Sequence, residues 1–151
     1  MSVNILKGRL GHHRFHPILV HFPSALYPFS LVMDFIHVWT SDESFRLAGL
    51  YALEGAIAMS AIAMIYGAID FLQIDPKSKP WKTAGLHALL NLSWLVGYVI
   101  LLFYRLKYEH IGWTYIAIMT GIVFGLFFSN YLGAELIVRY KIGIKSEPDK
   151  V

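Results

Sequence analysis

Four long stretches of apolar residues alternate with short polar connections along this chain of 151 residues. They cover about residues 17–39, 47–72, 84–104 and 113–138. Each stretch has about 20 residues or more, which is enough to cross roughly 30 Å of hydrocarbon as a helix. None alternates polar and apolar residues with period two, so the strands of a membrane barrel are not indicated. The pattern predicts four membrane-spanning helices.

The three connections between these stretches are short, which forces neighbouring helices to run antiparallel. The predicted fold is therefore all-α, an integral membrane antiparallel four-helix bundle. The chain divides into a basic N-terminal arm at 1–15, a membrane domain with four spans at 16–140, and a tail at 141–151.

Composition supports a membrane protein and removes several kinds of chemistry. Hydrophobic residues make up 56% of the chain, and the mean hydropathy is +0.53. Cysteine is absent, which excludes disulfides, thiolate metal sites, iron–sulfur ligation and thioether attachment of haem. The lipid bilayer is the expected partner. No nucleic-acid partner is predicted from the net charge of +3, because the basic residues cluster at the ends of the spans.

The distribution of basic residues predicts how the bundle is oriented. One side of the membrane would carry ten of them: Lys7, Arg9, Arg14, Lys77, Lys79, Lys82, Arg139, Lys141, Lys145 and Lys150. The other side would carry three: Arg46, Arg105 and Lys107. Cytoplasmic loops hold an excess of lysine and arginine. Both termini are therefore expected in the cytoplasm.

Histidines lie at one predicted end of the bundle. The first stretch opens with the octapeptide 16–23, His-Pro-Ile-Leu-Val-His-Phe-Pro, and the third opens with His87 and Asn91. Asp70 closes the second stretch, so the antiparallel topology brings all these groups to the same end. Ionisable side chains are costly in hydrocarbon and indicate a functional site. His16 and His21 are five residues apart, about 140° around a helix, so they are not expected to share one ligand.

Three interpretations of this cluster stay open from the residues alone. A b-type haem between the first and third helices would use His21 and His87 as axial ligands. A non-haem metal site would combine His16 or His21 with His87 and Asp70, and with Glu135 as a further candidate ligand. In either case Asn91 could orient an imidazole. A purely structural hydrogen-bond network would instead fix the register of the helices.

A second polar group is expected near the opposite end. Asp34 and His37 are three residues apart in the first stretch, and Glu54 lies at a comparable depth in the second. Such a group could relay protons or supply further ligands, and the alternative is a buried ion pair or side chains that reach the interface.

The chain resembles a family of bacterial membrane proteins, the domain of unknown function 2231 family. The matching residues are His16, Pro17, Val20, His21, Phe22, Pro23, Asp34, Gly67, Asp70, His87 and Asn91. The resemblance implies a multi-pass protein of the bacterial cytoplasmic (inner) membrane but no particular reaction. It also implies a redox setting, because some relatives are fused to Rieske or cytochrome c modules.

The leading interpretation is a small membrane protein that binds haem b and transfers electrons, or a subunit of a membrane redox complex. His21 and His87 would be the axial ligands, with His16, Asp70 and Asn91 nearby. Electron transfer is favoured over a stand-alone enzyme, and the partners would be redox subunits or a second copy. A non-redox accessory or scaffold subunit and the non-haem metal site are the alternatives.

Overall fold

The computed structural model describes residues 3–4, 9–10, 13–108 and 110–142. Four long helices make up the bundle: α2 (His21–Thr40), α3 (Glu43–Phe71), α4 (Lys79–Lys107) and α5 (Trp113–Val138). A short helix, α1 (Phe15–Leu19), leads directly into α2. In the N-terminal arm, the two-residue strands β1 (Val3–Asn4), β2 (Arg9–Leu10) and β3 (His13–Arg14) pair antiparallel in that order.

All four predicted spans are helices long and apolar enough to cross a membrane. The predicted all-α membrane bundle is therefore confirmed. The helices extend past the apolar stretches at several ends, because polar residues continue the helix after the hydrophobic run stops. Helix α4, for example, runs from Lys79 to Lys107, several residues beyond the predicted third stretch, 84–104, at each end. The orientation in the membrane and the three-part division stay predictions. Lys7 and the tail residues 143–151 lie outside the described residues.

Local signals set the boundaries between helices. Thr40 ends α2, and Ser41 follows in the left-handed conformation with φ 59°. Asp42 then caps α3 by accepting hydrogen bonds from the Ser44 backbone N–H at 2.9 Å and from its hydroxyl at 2.7 Å. These bonds stabilise the ionised carboxylate and lower the pKa of Asp42. Pro80 lies in the first turn of α4, where its missing N–H has no helical acceptor to lose.

The helices pack in the order α2, α3, α4, α5 around the bundle, so that α2 and α4 face each other across the centre. Between them, the rings of Tyr27 and Tyr98 stack at 3.5 Å with an interplanar angle of 7°. Both rings are almost completely buried. This stack is the middle layer of the core.

Two further pairs cross the bundle, one on each side of the tyrosine stack. His16 meets His87 at one end, the histidine end. Asp34 meets Arg105 at the other, the ion-pair end. The two members of each pair are 71 positions apart, and so are Tyr27 and Tyr98. Residues at a constant spacing therefore face each other at three levels. The bundle thus consists of two similar helical hairpins, α1 to α3 and α4 to α5, that pack around a common axis.

Candidate functional site

His16 and His87 approach each other at the histidine end. The centroids of the two imidazole rings are 6.3 Å apart, and the ring planes are nearly perpendicular at 77°. His16 lies on the short helix α1, whose first turn also contains Pro17. Val20 joins α1 to α2 with its backbone still helical, at φ −65° and ψ −17°, and its N–H donates to the His16 carbonyl at 3.1 Å.

Each of these imidazoles is hydrogen-bonded to a backbone carbonyl of another helix. Nδ1 of His16 lies 2.8 Å from the carbonyl oxygen of Ala63 on α3. Nδ1 of His87 lies 2.8 Å from the carbonyl oxygen of Ser129 on α5. A carbonyl oxygen only accepts, so Nδ1 carries the proton in both rings. In a neutral imidazole this leaves Nε2 with the lone pair that binds a metal.

Two glycines give these rings room. A Cβ atom at Gly67 would lie 3.0 Å from Cε1 of His16, and one at Gly133 would lie 2.9 Å from Cε1 of His87. Each glycine comes four residues, or about one turn, after the carbonyl that accepts the Nδ1 proton. The same arrangement of an imidazole, a backbone carbonyl and a glycine thus occurs twice. One copy lies between α1 and α3, and the other lies between α4 and α5.

The side chain of Asn91 lies beside the imidazole of His87. Its amide nitrogen donates to the hydroxyl of Ser129 at 2.7 Å and to the backbone carbonyl of His87 at 2.8 Å. These two short bonds use both amide hydrogens. The same nitrogen lies 3.2 and 3.3 Å from the two ring nitrogens of His87, so neither ring nitrogen receives a short bond from it. Asn91 therefore links α4 to α5 beside the ring and leaves the lone pair of Nε2 without a short hydrogen bond.

The remaining predicted site residues lie apart from this pair of rings. His21 is exposed, and its nearest polar contact is the Ile18 carbonyl, 3.3 Å from Nδ1. Asp70 forms an ion pair with Arg14, whose Nη1 lies 2.7 Å from Oδ1. Glu135 contacts Tyr131 and Arg139. The structure thus brings His16, rather than the predicted His21, to His87.

The non-haem alternative needs carboxylates beside the imidazoles, and these carboxylates are engaged elsewhere. Within residues 13–108 and 110–142, no group of three or more His, Asp or Glu side chains is placed to hold a metal ion. The predicted ligand set of histidine with Asp70 and Glu135 is therefore not assembled. Two imidazoles anchored through Nδ1 are what the histidine end offers to a ligand.

At the ion-pair end Asp34 forms a buried ion pair, which was the alternative given for this end, and sequence reasoning missed only its partner, Arg105. Nη1 of Arg105 donates to Oδ2 of Asp34 at 2.9 Å and lies equally close to Oδ1. Nη2 of the same guanidinium donates to the Arg46 carbonyl at 2.6 Å. Of the other residues expected there, Glu54 is exposed and lies apart from Asp34, and Nδ1 of His37 is 3.0 Å from the Asp42 carbonyl oxygen. The spacing of 71, shared with His16 and His87, was the signal available in the sequence.

Four helices that are each long and apolar enough to cross a membrane define a multi-pass membrane protein. The chain belongs to the family described as "Predicted membrane protein (DUF2231)", whose model matches residues 12–146. The match confirms the resemblance seen in the sequence. It covers all four helices and both residues of the histidine pair. No curated protein and no solved structure matches the chain.

Proposed function

We propose that this protein binds a b-type haem between His16 and His87 and transfers electrons in the membrane, alone or as a subunit of a redox complex. The observation that carries the proposal is the pair of facing imidazoles, each with Nδ1 hydrogen-bonded to a backbone carbonyl. His16 replaces His21 in this assignment, because His21 points away from the bundle axis at the surface of the chain.

The two rings are close enough to contact one ligand between them. Their centroids are 6.3 Å apart, and each Nδ1 is engaged by a backbone carbonyl. Nε2 of each ring would therefore be the atom that holds the haem iron. A bound haem would supply one-electron transfer, with a potential that depends on its axial ligands and their hydrogen bonds.

The chain's own residues would hold and tune those ligands. Hydrogen bonds from Nδ1 to the Ala63 and Ser129 carbonyls fix each tautomer and make Nε2 a better electron donor. Gly67 and Gly133 keep the helix surfaces close to the rings free of side chains. Asn91 would act as a positioning residue for His87.

The setting of this activity is part of the same proposal. We expect the histidine end on the cytoplasmic side of a bacterial inner membrane, because most basic residues flank that end. The electron donor or acceptor would then be another membrane subunit or a soluble protein that docks there.

Absorption spectroscopy of the full-length protein tests the proposal. Protein purified in detergent from cells supplied with haem should show a Soret band, and sharp α and β bands after reduction. His16→Ala and His87→Ala should each lose the bis-imidazole spectrum while the protein stays in the membrane. His21→Ala is the matched control and should keep it. A wild-type protein with no Soret band would overturn the proposal, and loss of haem only in His21→Ala would overturn the ligand assignment.

A scaffold role is the second candidate, and one observation favours it. The two imidazole–carbonyl bonds join α1 to α3 and α4 to α5, so they can set the register of the helices without any ligand. A colourless wild-type protein whose melting temperature falls in both His16→Ala and His87→Ala would support this role. Unchanged melting temperatures in a colourless protein would exclude it.

A further inference from the structure

Glu54 places a carboxyl group on the outer surface of α3, a helix that would be surrounded by lipid in a single copy of this chain. It lies three residues, about 4.5 Å along the axis, from the middle residue of α3, Ile57. The following residue, Gly55, packs against Leu26, next to the buried tyrosine stack. The Glu54 side chain nevertheless faces outward and is exposed. It would therefore meet the hydrocarbon near its middle.

Two hydroxyl groups on the membrane-spanning helices are satisfied by their own helix. The Ser93 hydroxyl donates to the Leu89 carbonyl at 2.9 Å, and the Thr120 hydroxyl donates to the Ile116 carbonyl at 2.7 Å. Glu54 makes no hydrogen bond or ion pair with any residue that the structure describes. Charged residues inside membranes almost always face protein or a water-filled cavity and are paired. A second polypeptide over this face of α3 would supply that environment.

The residues around Glu54 indicate what this polypeptide is. The outward face of α3 contains exposed residues at alternating spacings of four and three: Leu47, Tyr51, Glu54, Ala58, Ala61, Ile65 and Ala68. The alanines allow close approach of another helix, whereas the outward face of α4 carries large side chains such as Leu89, Val96 and Ile100. The spacing matches the seam of two helices that cross at a shallow angle.

The face is complementary to itself. Two copies inserted in the same direction are related by a two-fold axis along the membrane normal, which sets α3 against its equivalent with the same residues at the same depth. A protonated carboxyl group both donates and accepts a hydrogen bond, so Glu54 can pair with Glu54 of a second copy. Tyr51, one turn away and largely exposed at 66%, supplies a hydroxyl donor to the opposite carboxyl.

We propose that two copies of this protein pair through the outward face of α3, with Glu54 of each copy hydrogen-bonded to Glu54 and Tyr51 of the other. The pairing covers the carboxyl group from lipid and leaves the histidine end of each bundle free. It is independent of haem binding, because no residue of the α3 face contacts His16 or His87.

Cross-linking of single cysteines in native membranes tests the pairing, since the chain contains no cysteine of its own. Ala58→Cys and Ala61→Cys should form disulfide-linked dimers under mild oxidation. Val96→Cys on α4 and Phe124→Cys on α5 are matched controls at a similar depth, both exposed, and should stay monomeric. Equal cross-linking at all four positions, or none at 58 and 61, would overturn the proposal.

Substitutions at Glu54 test the hydrogen bond itself. Glu54→Gln keeps a donor and an acceptor and should retain the dimer. Glu54→Leu should weaken dimerisation about 3- to 30-fold, the range expected for polar contacts between membrane helices. Dissociation measured by energy transfer between labelled copies in lipid vesicles gives this ratio. Equal affinities for wild type and Glu54→Leu would show that a different chain, or lipid, faces Glu54. His16→Ala should leave the affinity unchanged, which separates this test from that of haem binding.

Discussion

Asp34 and Arg105 join α2 to α4 through an ion pair with almost no exposure, 0% for the carboxylate side chain and 1% for the guanidinium side chain. Arg105→Met would remove the positive charge and keep most of the volume. The Asp34 carboxylate would then be left buried without a counter-charge. Breaking one partner of a buried pair costs about 3–5 kcal/mol, which is roughly a hundred- to several thousand-fold in the equilibrium constant for unfolding.

A double-mutant cycle separates the pair from its surroundings. Unfolding in mixed micelles would give the free energy of unfolding for wild type, Arg105→Met, Asp34→Asn and the double variant. The double variant should be more stable than Arg105→Met alone, because no unpaired charge is left. Lys107→Met, an exposed change on the same helix, should stay within about 0.5 kcal/mol of wild type. Losses from the two single variants that simply add would refute the coupling.

Three further changes probe the cap, the core and the close packing of α4 on α5. Gly125→Ala should lower stability by about 1–3 kcal/mol, because the added Cβ would overlap the Trp94 ring; an unchanged melting temperature would contradict this. Tyr27→Phe keeps the stacked ring but loses the 3.0 Å hydrogen bond between the Tyr27 and Ser60 hydroxyls. The free energy of unfolding should therefore fall by about 0.5–1.5 kcal/mol. The lowered pKa of Asp42 means that its cap stabilises the fold above the unfolded pKa of about 3.9 and that this contribution is lost as pH falls through the folded value. Melting curves of wild type and Asp42→Ala should therefore differ at neutral pH and converge in acid, and a difference independent of pH would contradict the assignment.

Hydropathy was sufficient to predict the four helices, because a membrane span must satisfy its backbone internally and present apolar side chains to lipid. The choice between His16 and His21 could not be made in the same way. The two residues lie about 140° apart around a helix, and only the packed helices show that His16 is the one beside His87. Gly67 and Gly133 were visible as small residues, but only the packed helices show which imidazole each one accommodates.

The ion pair between Asp34 and Arg105 could not be predicted from the sequence for a different reason. Arg105 lies where the apolar stretch ends, so the sequence predicts a place with Arg46 and Lys107 on the far side of the membrane. In the structure α4 continues to Lys107, and the extra turn carries the guanidinium back over Asp34. Charges at the edge of an apolar run can therefore belong to the core, which residue type alone does not reveal.

The constant spacing of 71 between facing residues also bears on which hairpins can pair. Histidine faces histidine and tyrosine faces tyrosine, so these two levels would be the same if both hairpins were identical. Aspartate facing arginine is different, because two identical hairpins would oppose two like charges at this level. The ion pair therefore makes each hairpin specific for the other, since neither could pair with a copy of itself without burying two like charges.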